Sequence, residues 1–404
     1  MQIVKIETIL IDEFPNIAFV QVHTDEGHVG LGEAYLGAAA VVAWVHESAV
    51  PYLLGKDPLQ IERHWLGLRG FVGFVGSGVE NRGRAAIDMA LWDILGQVCG
   101  QPIYQLLGGR THDRVRVYNT CAGYRYARAA TAGGGIPVSN WGTGNAAGPY
   151  EDLDAFMNQA GELAQDLLEQ GFTGMKIWPL DPYAEATGGT HISSADLNQG
   201  LGPFGKIREA VGDQMDIMVE LHGLWDLPTA KRIARALEEY EPTWFEDPIK
   251  MDNLDALAEF AASTHVPTTA SETLGTRWDF RELMEKRAVG IVMFDPSWVG
   301  GISESKKIAG MAEAHKLPIA PHDCTGPVSF AASVHLAVNA PNTYVQEVVR
   351  AFYTGWYTEL VTEIPEVRDG YIYPLSGPGL GTALLDGVTT RPDAHIRIAT
   401  KGNR

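Results

Sequence analysis

Asp216-Ile-Met-Val-Glu-Leu-His222, Pro242-Thr-Trp-Phe-Glu-Asp-Pro248 and Pro267-Thr-Thr-Ala-Ser-Glu272 decide the fold. Each is a short apolar run that reaches a glutamate, and Glu220, Glu246 and Glu272 are 26 residues apart. Asp295 follows 23 residues later, His322 another 27 later and Glu347 another 25 later. Each interval holds one strand and one helix. Working outward, Val115-Arg-Val-Tyr-Asn-Thr120 and Gly174-Met-Lys-Ile-Trp178 precede the three runs, and runs starting at Gly290, Leu317 and Thr343 follow them. That makes eight strand candidates, with helical patterns at 229–240, 254–263, 303–315 and 329–338 between the later ones. Strand–helix alternation implies parallel pairing. Eight units over about 235 residues imply a TIM-type α/β barrel, whose strand C-termini share one mouth.

The chain has 404 residues, enough for a barrel and an appendage. Its 45% hydrophobic and 20% charged content excludes a disordered chain. A net charge of −19 speaks against nucleic acid and anionic membrane surfaces as partners, because phosphate contacts need clustered cations. Cys99, Cys121 and Cys324 are too few and scattered for a disulfide framework or a CxxC metal site, and they fit a reducing compartment. The longest apolar stretch, near Ala34–Val45, is about half a membrane span. A soluble, cytoplasmic protein is expected.

Three regions are expected. Residues 1–114 form an α+β cap: Ile17–Gly27 reads as a strand and turn, Val29-Gly-Leu-Gly32 as the hairpin return, and Arg84–Leu95 as an amphipathic helix. Residues 115–350 form the barrel, and 351–404 form a tail that packs back on the cap. The glycine-rich stretch 69–83 suits a mobile loop. The segments 130–149 and 179–202 read as long irregular connections of the kind that form lids.

At the barrel mouth, strand alternation puts Glu220 and His222 on one inward face, and Lys176 with Trp178 on another. Glu246 and Asp247 point opposite ways, and Pro248 ends the strand, so Glu246 is the inward one. Glu220, Glu246 and Glu272 then form an oxygen cage without thiolates, which favours Mg²⁺ or Mn²⁺ over zinc. His322, one strand after Asp295, can be a carboxylate-oriented general base. His222 can be a ligand, a second base or an acid.

These residues resemble the enolase superfamily, in its mandelate racemase-like branch. The resemblance spans nearly the whole chain and rests on Ala85-Ala-Ile-Asp-Met-Ala-Leu-Trp-Asp93, Pro102–Gly109, Val219-Glu-Leu-His222, Trp244–Pro248, Ser271-Glu272, Asp295 with Gly300-Gly301, Pro321-His322 and Gln346-Glu347. It implies a (β/α)7β barrel with a cap completed by the C-terminal tail. It also implies Mg²⁺ held by Glu220, Glu246 and Glu272, and a small-molecule carboxylate substrate whose α-proton His322, backed by Asp295, removes. Lys176 and Glu347 would hold the substrate carboxylate, with Trp178 beside it, and the resemblance implies a homo-oligomer, dimer to octamer. Racemising relatives carry Lys-x-Lys on the second strand, where this chain has Lys176-Ile-Trp178 and so lacks the second lysine base. The residue at Glu220 is more often Asp, and His222 resembles the proton donor of the sugar-acid dehydratases. The expected reaction is therefore loss of water from an aldonate to give a 2-keto-3-deoxy acid. The rival readings are an epimerase or cycloisomerase using Tyr124 or Tyr126 as second base, and a non-catalytic binding barrel. Arg69 and Arg82 flank the cap loop and are the cations available for a diacid, but a monocarboxylate is expected.

Overall fold

The cap begins with three antiparallel strands, β1 (Ile3–Ile11), β2 (Ile17–Thr24) and β3 (Val29–Tyr35). Gly27 turns the β2–β3 hairpin at φ 89°, a backbone region that glycine enters without strain. The alternate glycines of β3 are a packing device. A Cβ at Gly30 would lie 2.0 Å from the Ala90 carbonyl oxygen, and one at Gly32 would lie 1.8 Å from that of Ala86. The helix Val79–Cys99 can therefore lie directly on the sheet, with Ala86, Ile87, Ala90 and Ile94 buried. The computed structural model describes residues 1–70, 76, 78–126, 128, 138, 141–142 and 148–401. The centre of the loop expected at 69–83, and most of the lid expected at 130–149, lie outside the described residues.

Six strands pair in parallel in chain order: β4 (Val115–Thr120), β5 (Gly174–Ile177), β6 (Asp216–Glu220), β7 (Trp244–Glu246), β8 (Thr268–Ala270) and β9 (Ile291–Val292). The seventh segment is joined by single parallel bridges, Val292 to Ile319 and Ile319 to Thr343, and by the His322 N–H donating to the Phe294 carbonyl at 3.0 Å. Pro318 and Pro321 have no N–H to donate, which keeps this ladder short. β10 (Gln346–Val348) then pairs in parallel with β4 and closes the ring. Tyr118, Met218, Trp244, Ile291, Met293, Ala320 and Val345 form a separate buried cluster contributed strand by strand around this ring. The helix Leu227–Leu237 shows why the outer layer is helical: Ala230, Ile233, Ala234 and Leu237 follow the 3.6-residue period and are buried.

After the barrel, β11 (Glu366–Arg368) and β12 (Tyr371–Tyr373) form a hairpin that adds antiparallel to the start of β4. β13 (Ala394–Thr400) adds antiparallel to β1, so the last strand completes the cap sheet. Among the described residues no helix is long and apolar enough to cross a membrane.

One expectation is corrected. Residues 179–202 are not a long loop, because they contain the helix Asp181–Thr187 and the first half of the helix Ser194–Val211. The first has a proline in its opening turn and ends at Gly188 in the left-handed region; the second is capped by Ser193, whose hydroxyl accepts the Asp196 N–H. The Gly and Pro residues that suggested a loop are helix punctuation.

Candidate active site

The expected rim residues converge. Lys176 lies within β5, Glu220 and Glu246 end β6 and β7, and Glu347 sits in β10; all four are buried. The Lys176 ammonium is 2.5 Å from Glu246 Oε1, 2.9 Å from Glu347 Oε1 and 3.5 Å from Glu220 Oε2. Backbone N–H groups of Leu221 (2.9 Å) and His222 (2.6 Å) donate to Glu220 Oε1, and the Trp244 indole donates to Glu246 Oε2 at 3.0 Å. Thr120 donates to Glu347 Oε1, and the Asp323 N–H donates to its Oε2 at 3.0 Å.

Three buried carboxyls around one cation leave negative charge uncompensated. Burial works to raise Glu220, yet the charges of His222 and Lys176 outweigh it and bring its carboxyl down to about 2. Burial and the neighbouring Glu220 anion push Glu246 well above the carboxylate range. Glu272 is raised chiefly by burial, with Glu220 adding to it.

Among the described residues no group of three or more His, Cys, Asp or Glu side chains is already disposed as a metal clasp. Lys176 stands among the carboxylates instead. The donor chemistry nevertheless fits a hard divalent cation. Glu272 Oε2 and Asp247 Oδ1 are buried oxygens without a hydrogen-bond partner, and Glu246, Asp247 and Glu272 are all raised by burial and by each other's or Glu220's charge. Crowded buried carboxyls of this kind are what Mg²⁺ or Mn²⁺ neutralises.

Asp247 departs from the strand-parity argument. β7 ends at Glu246, and Asp247 has φ 40°, so alternation stops there and its carboxylate turns in beside Glu272 and Glu220, held by the Ser271 hydroxyl at 2.6 Å. His222 reaches the site in the same way. β6 ends at Glu220, and a left-handed residue (φ 49°) aims the imidazole, rather than the i, i+2 alternation expected for it.

Both histidines line one cavity of about 210 Å³, which Tyr35 and Leu36 line from the cap side. His322 Nδ1 lies 2.8 Å from Asp295 Oδ2, as the one-strand separation suggested, and its Nε2 is 3.9 Å from Glu347 Oε2. His222 Nδ1 lies 2.7 Å from Asp181 Oδ2. Sequence pattern alone does not mark Asp181, because the Gly and Pro residues around it resemble a loop; the Asp-Pro pair opening a helix just after β5 is the signal that marks it. Burial alone would lower both imidazoles, but Glu347, Asp295 and Glu272 raise His322 to about 9, and Asp181 and Glu220 raise His222 to about 9.

Trp178 is buried and is not on the cavity wall. Its ring packs against Tyr126, Phe156 and, edge-on at 5.7 Å, His222, so it backs the histidine rather than reaching a ligand. Of the rival bases, Tyr126 lines the cavity, with burial pushing its phenol far up, whereas Tyr124 donates to Glu359 at 2.8 Å and is not on its wall. Arg82 lies over the Trp298 ring at 4.1 Å and donates to the Leu36 carbonyl, and Arg69 lies over Trp278 at 4.2 Å.

Residues 13–108 match the N-terminal domain family of mandelate racemase and muconate lactonizing enzyme, and residues 159–388 match the enolase C-terminal domain-like family. A D-galactonate dehydratase of Pectobacterium atrosepticum is 32% identical over 391 residues, covering 95% of this chain and 92% of that protein. The crystal structure of an enolase of the mandelate racemase subgroup from Agrobacterium tumefaciens is 48% identical, covers all of both chains and superposes with a TM-score of 0.88. An enolase protein from Sargasso Sea environmental sequencing is 40% identical over 99% of both chains, with a TM-score of 0.87. With a matching barrel domain over more than half its length, a matching cap, and acidic residues, lysine and a His–Asp pair gathered at the barrel mouth, this chain belongs to the enolase superfamily and is an enzyme of its mandelate racemase-like branch.

Proposed function

We propose that the enzyme removes water from a sugar acid, an aldonate, to give a 2-keto-3-deoxy acid. The observation that carries this reading is the pair of carboxylate-backed imidazoles on one cavity, His322 with Asp295 and His222 with Asp181. In each pair Nδ1 is engaged by the carboxylate, which leaves Nε2 to face the substrate. His322 Nε2 takes the α-proton. His222, protonated because Asp181 and Glu220 hold it so, gives its proton to the β-hydroxyl, which departs as water. The enol that remains gains a proton at its β-carbon and gives up its hydroxyl proton to solvent, becoming the 2-keto-3-deoxy acid, and the two histidines exchange protons with solvent to reset.

Lys176 is placed to oppose the charge that spreads into the substrate carboxylate as the α-proton leaves. Glu220, Glu246 and Glu272 are the residues that would hold Mg²⁺ or Mn²⁺, which supplies Lewis-acid stabilisation of that carboxylate when bound. The relative named D-galactonate dehydratase supports the reaction class, and the absence of a second lysine beside Lys176 argues against a two-lysine racemase.

The test is incubation with Mg²⁺ and a panel of aldonates and aldarates that includes D-galactonate, read by formation of a 2-keto-3-deoxy product. Glu246→Gln should abolish both the product and its dependence on divalent cation. An epimeric product without loss of water would replace the dehydratase reading with an epimerase.

A further inference from the structure

Two barrel helices begin without a capping side chain of their own, and in both the cap region supplies one. The helix Ile302–Ala314 starts after Gly301, and Asp88 of the cap accepts the Ser303 N–H at 3.0 Å and the Ser303 hydroxyl at 2.6 Å. The helix Pro327–Asn339 starts after Gly326, and Glu33 of β3 accepts the Val328 N–H at 3.1 Å and the Ser329 N–H at 3.3 Å. Both glycines make room for these carboxylates: a Cβ at Gly301 would lie 2.4 Å from Asp88 Oδ2, and one at Gly326 would lie 2.5 Å from both Glu33 oxygens.

The two clamps lead to different places. The Asp88 clamp ends at Ser303, whose hydroxyl otherwise receives the Trp92 indole of the cap. The Glu33 clamp continues: Ser329 donates its hydroxyl to Asp295 Oδ1 at 3.0 Å, and Asp295 Oδ2 receives His322 Nδ1–H at 2.8 Å. Glu33, Ser329 and Asp295 are all fully or nearly fully buried. Glu33 also lies two residues before Tyr35, which with Leu36 lines the cavity.

We infer that Glu33 is a positioning residue through which seating of the cap fixes the orientation of His322. The inference rests on the reading of His322 as the base. Asp295 orients the imidazole only while it is itself held; Ser297 and Thr325 hold it from the barrel, and Ser329, whose helix start Glu33 ties down, is the tie that leads to the cap. Misplacing a base by about 1 Å costs on the order of 10²-fold in rate.

The experiment is proton NMR of the full-length protein, following the downfield resonance of the His322 Nδ1–H, assigned as the one that vanishes in His322→Asn. Glu33→Gln turns one acceptor into a donor facing a backbone N–H, and Ser329→Ala breaks the link one step nearer the base without touching the cap. Both should shift this resonance or broaden it into solvent exchange. Asp88→Ala, which damages the other clamp, should leave it in place while lowering the melting temperature. On an aldonate that the wild type turns over, Glu33→Gln should lower kcat roughly 10- to 100-fold with KM nearly unchanged.

A wild-type resonance in Glu33→Gln overturns the inference. If that variant does not fold, a wild-type resonance in Ser329→Ala does so. A resonance displaced equally in Asp88→Ala also overturns it, because the effect would then be general cap loosening. Retained turnover in His322→Asn would instead sink the reading of the base, an outcome separate from these three.

Discussion

The two imidazole–carboxylate pairs facing the cavity have the same chemistry and different construction. Asp295 is saturated: Oδ1 receives the Ser297 N–H, the Ser297 hydroxyl and the Ser329 hydroxyl, and Oδ2 receives His322 and Thr325. Asp181 has His222 on Oδ2, while its buried Oδ1 has no partner. The His322 side chain is 9% exposed and the His222 side chain 29%. The proposed roles account for the difference. Removing a very weakly acidic C–H proton demands a fixed approach, whereas the leaving hydroxyl moves as its bond breaks and suits a proton donor with some freedom.

The largest expected effect tests the rigid pair. Asp295→Asn should lower turnover by roughly 10²–10⁴-fold, because His322 loses the acceptor that sets its tautomer. Asp181→Asn should cost less, roughly 10- to 100-fold, as for the loss of a group that orients another. Steady-state kinetics of the two variants decide this, and equal losses would erase the difference between the pairs.

The pH profile sharpens the comparison. His322 must be neutral to accept a proton, and Glu347 and Asp295 raise it, so kcat/KM should climb as the pH rises. His222 must be charged to donate, and Asp181 raises it, so kcat/KM should fall again at higher pH. Asp181→Asn removes an anion that raises His222, so its falling limb should move to lower pH while the rising limb stays put. A falling limb that does not move would show that Asp181 does not govern the acid.

The smallest expected effect concerns Tyr126, which shares the cavity. Burial keeps its phenol protonated. Tyr126→Phe should change turnover far less than the roughly 10²-fold that loss of a proton-transfer group costs. A loss of that size would restore tyrosine as a second base.

The barrel was legible because each strand–helix unit has nearly constant length and ends in a titratable residue, so Glu220, Glu246, Glu272, Asp295, His322 and Glu347 announced one rim. Legibility stopped where the backbone left the extended region. Strand parity describes side-chain direction only while alternation persists, and the positive φ at Asp247 and His222 ends it. Asp181 was hidden by Pro and Gly residues that bound a short helix and resemble a loop in sequence. Trp178 illustrates a different limit: sharing a face with Lys176 did not distinguish a residue on the cavity wall from one packed behind His222. The tie from Glu33 to Ser329 joins residues 296 positions apart, and no local pattern carries it.

The division of labour between the histidines is tested most directly by proton NMR in deuterated buffer with Mg²⁺ and an aldonate that the wild type dehydrates, comparing His322→Asn with His222→Asn. The account predicts that His322→Asn shows neither α-proton exchange nor keto product, and that His222→Asn exchanges the α-proton while forming product roughly 10²–10⁴-fold more slowly. Wild-type dehydration by His222→Asn, or exchange that survives in His322→Asn, would contradict it.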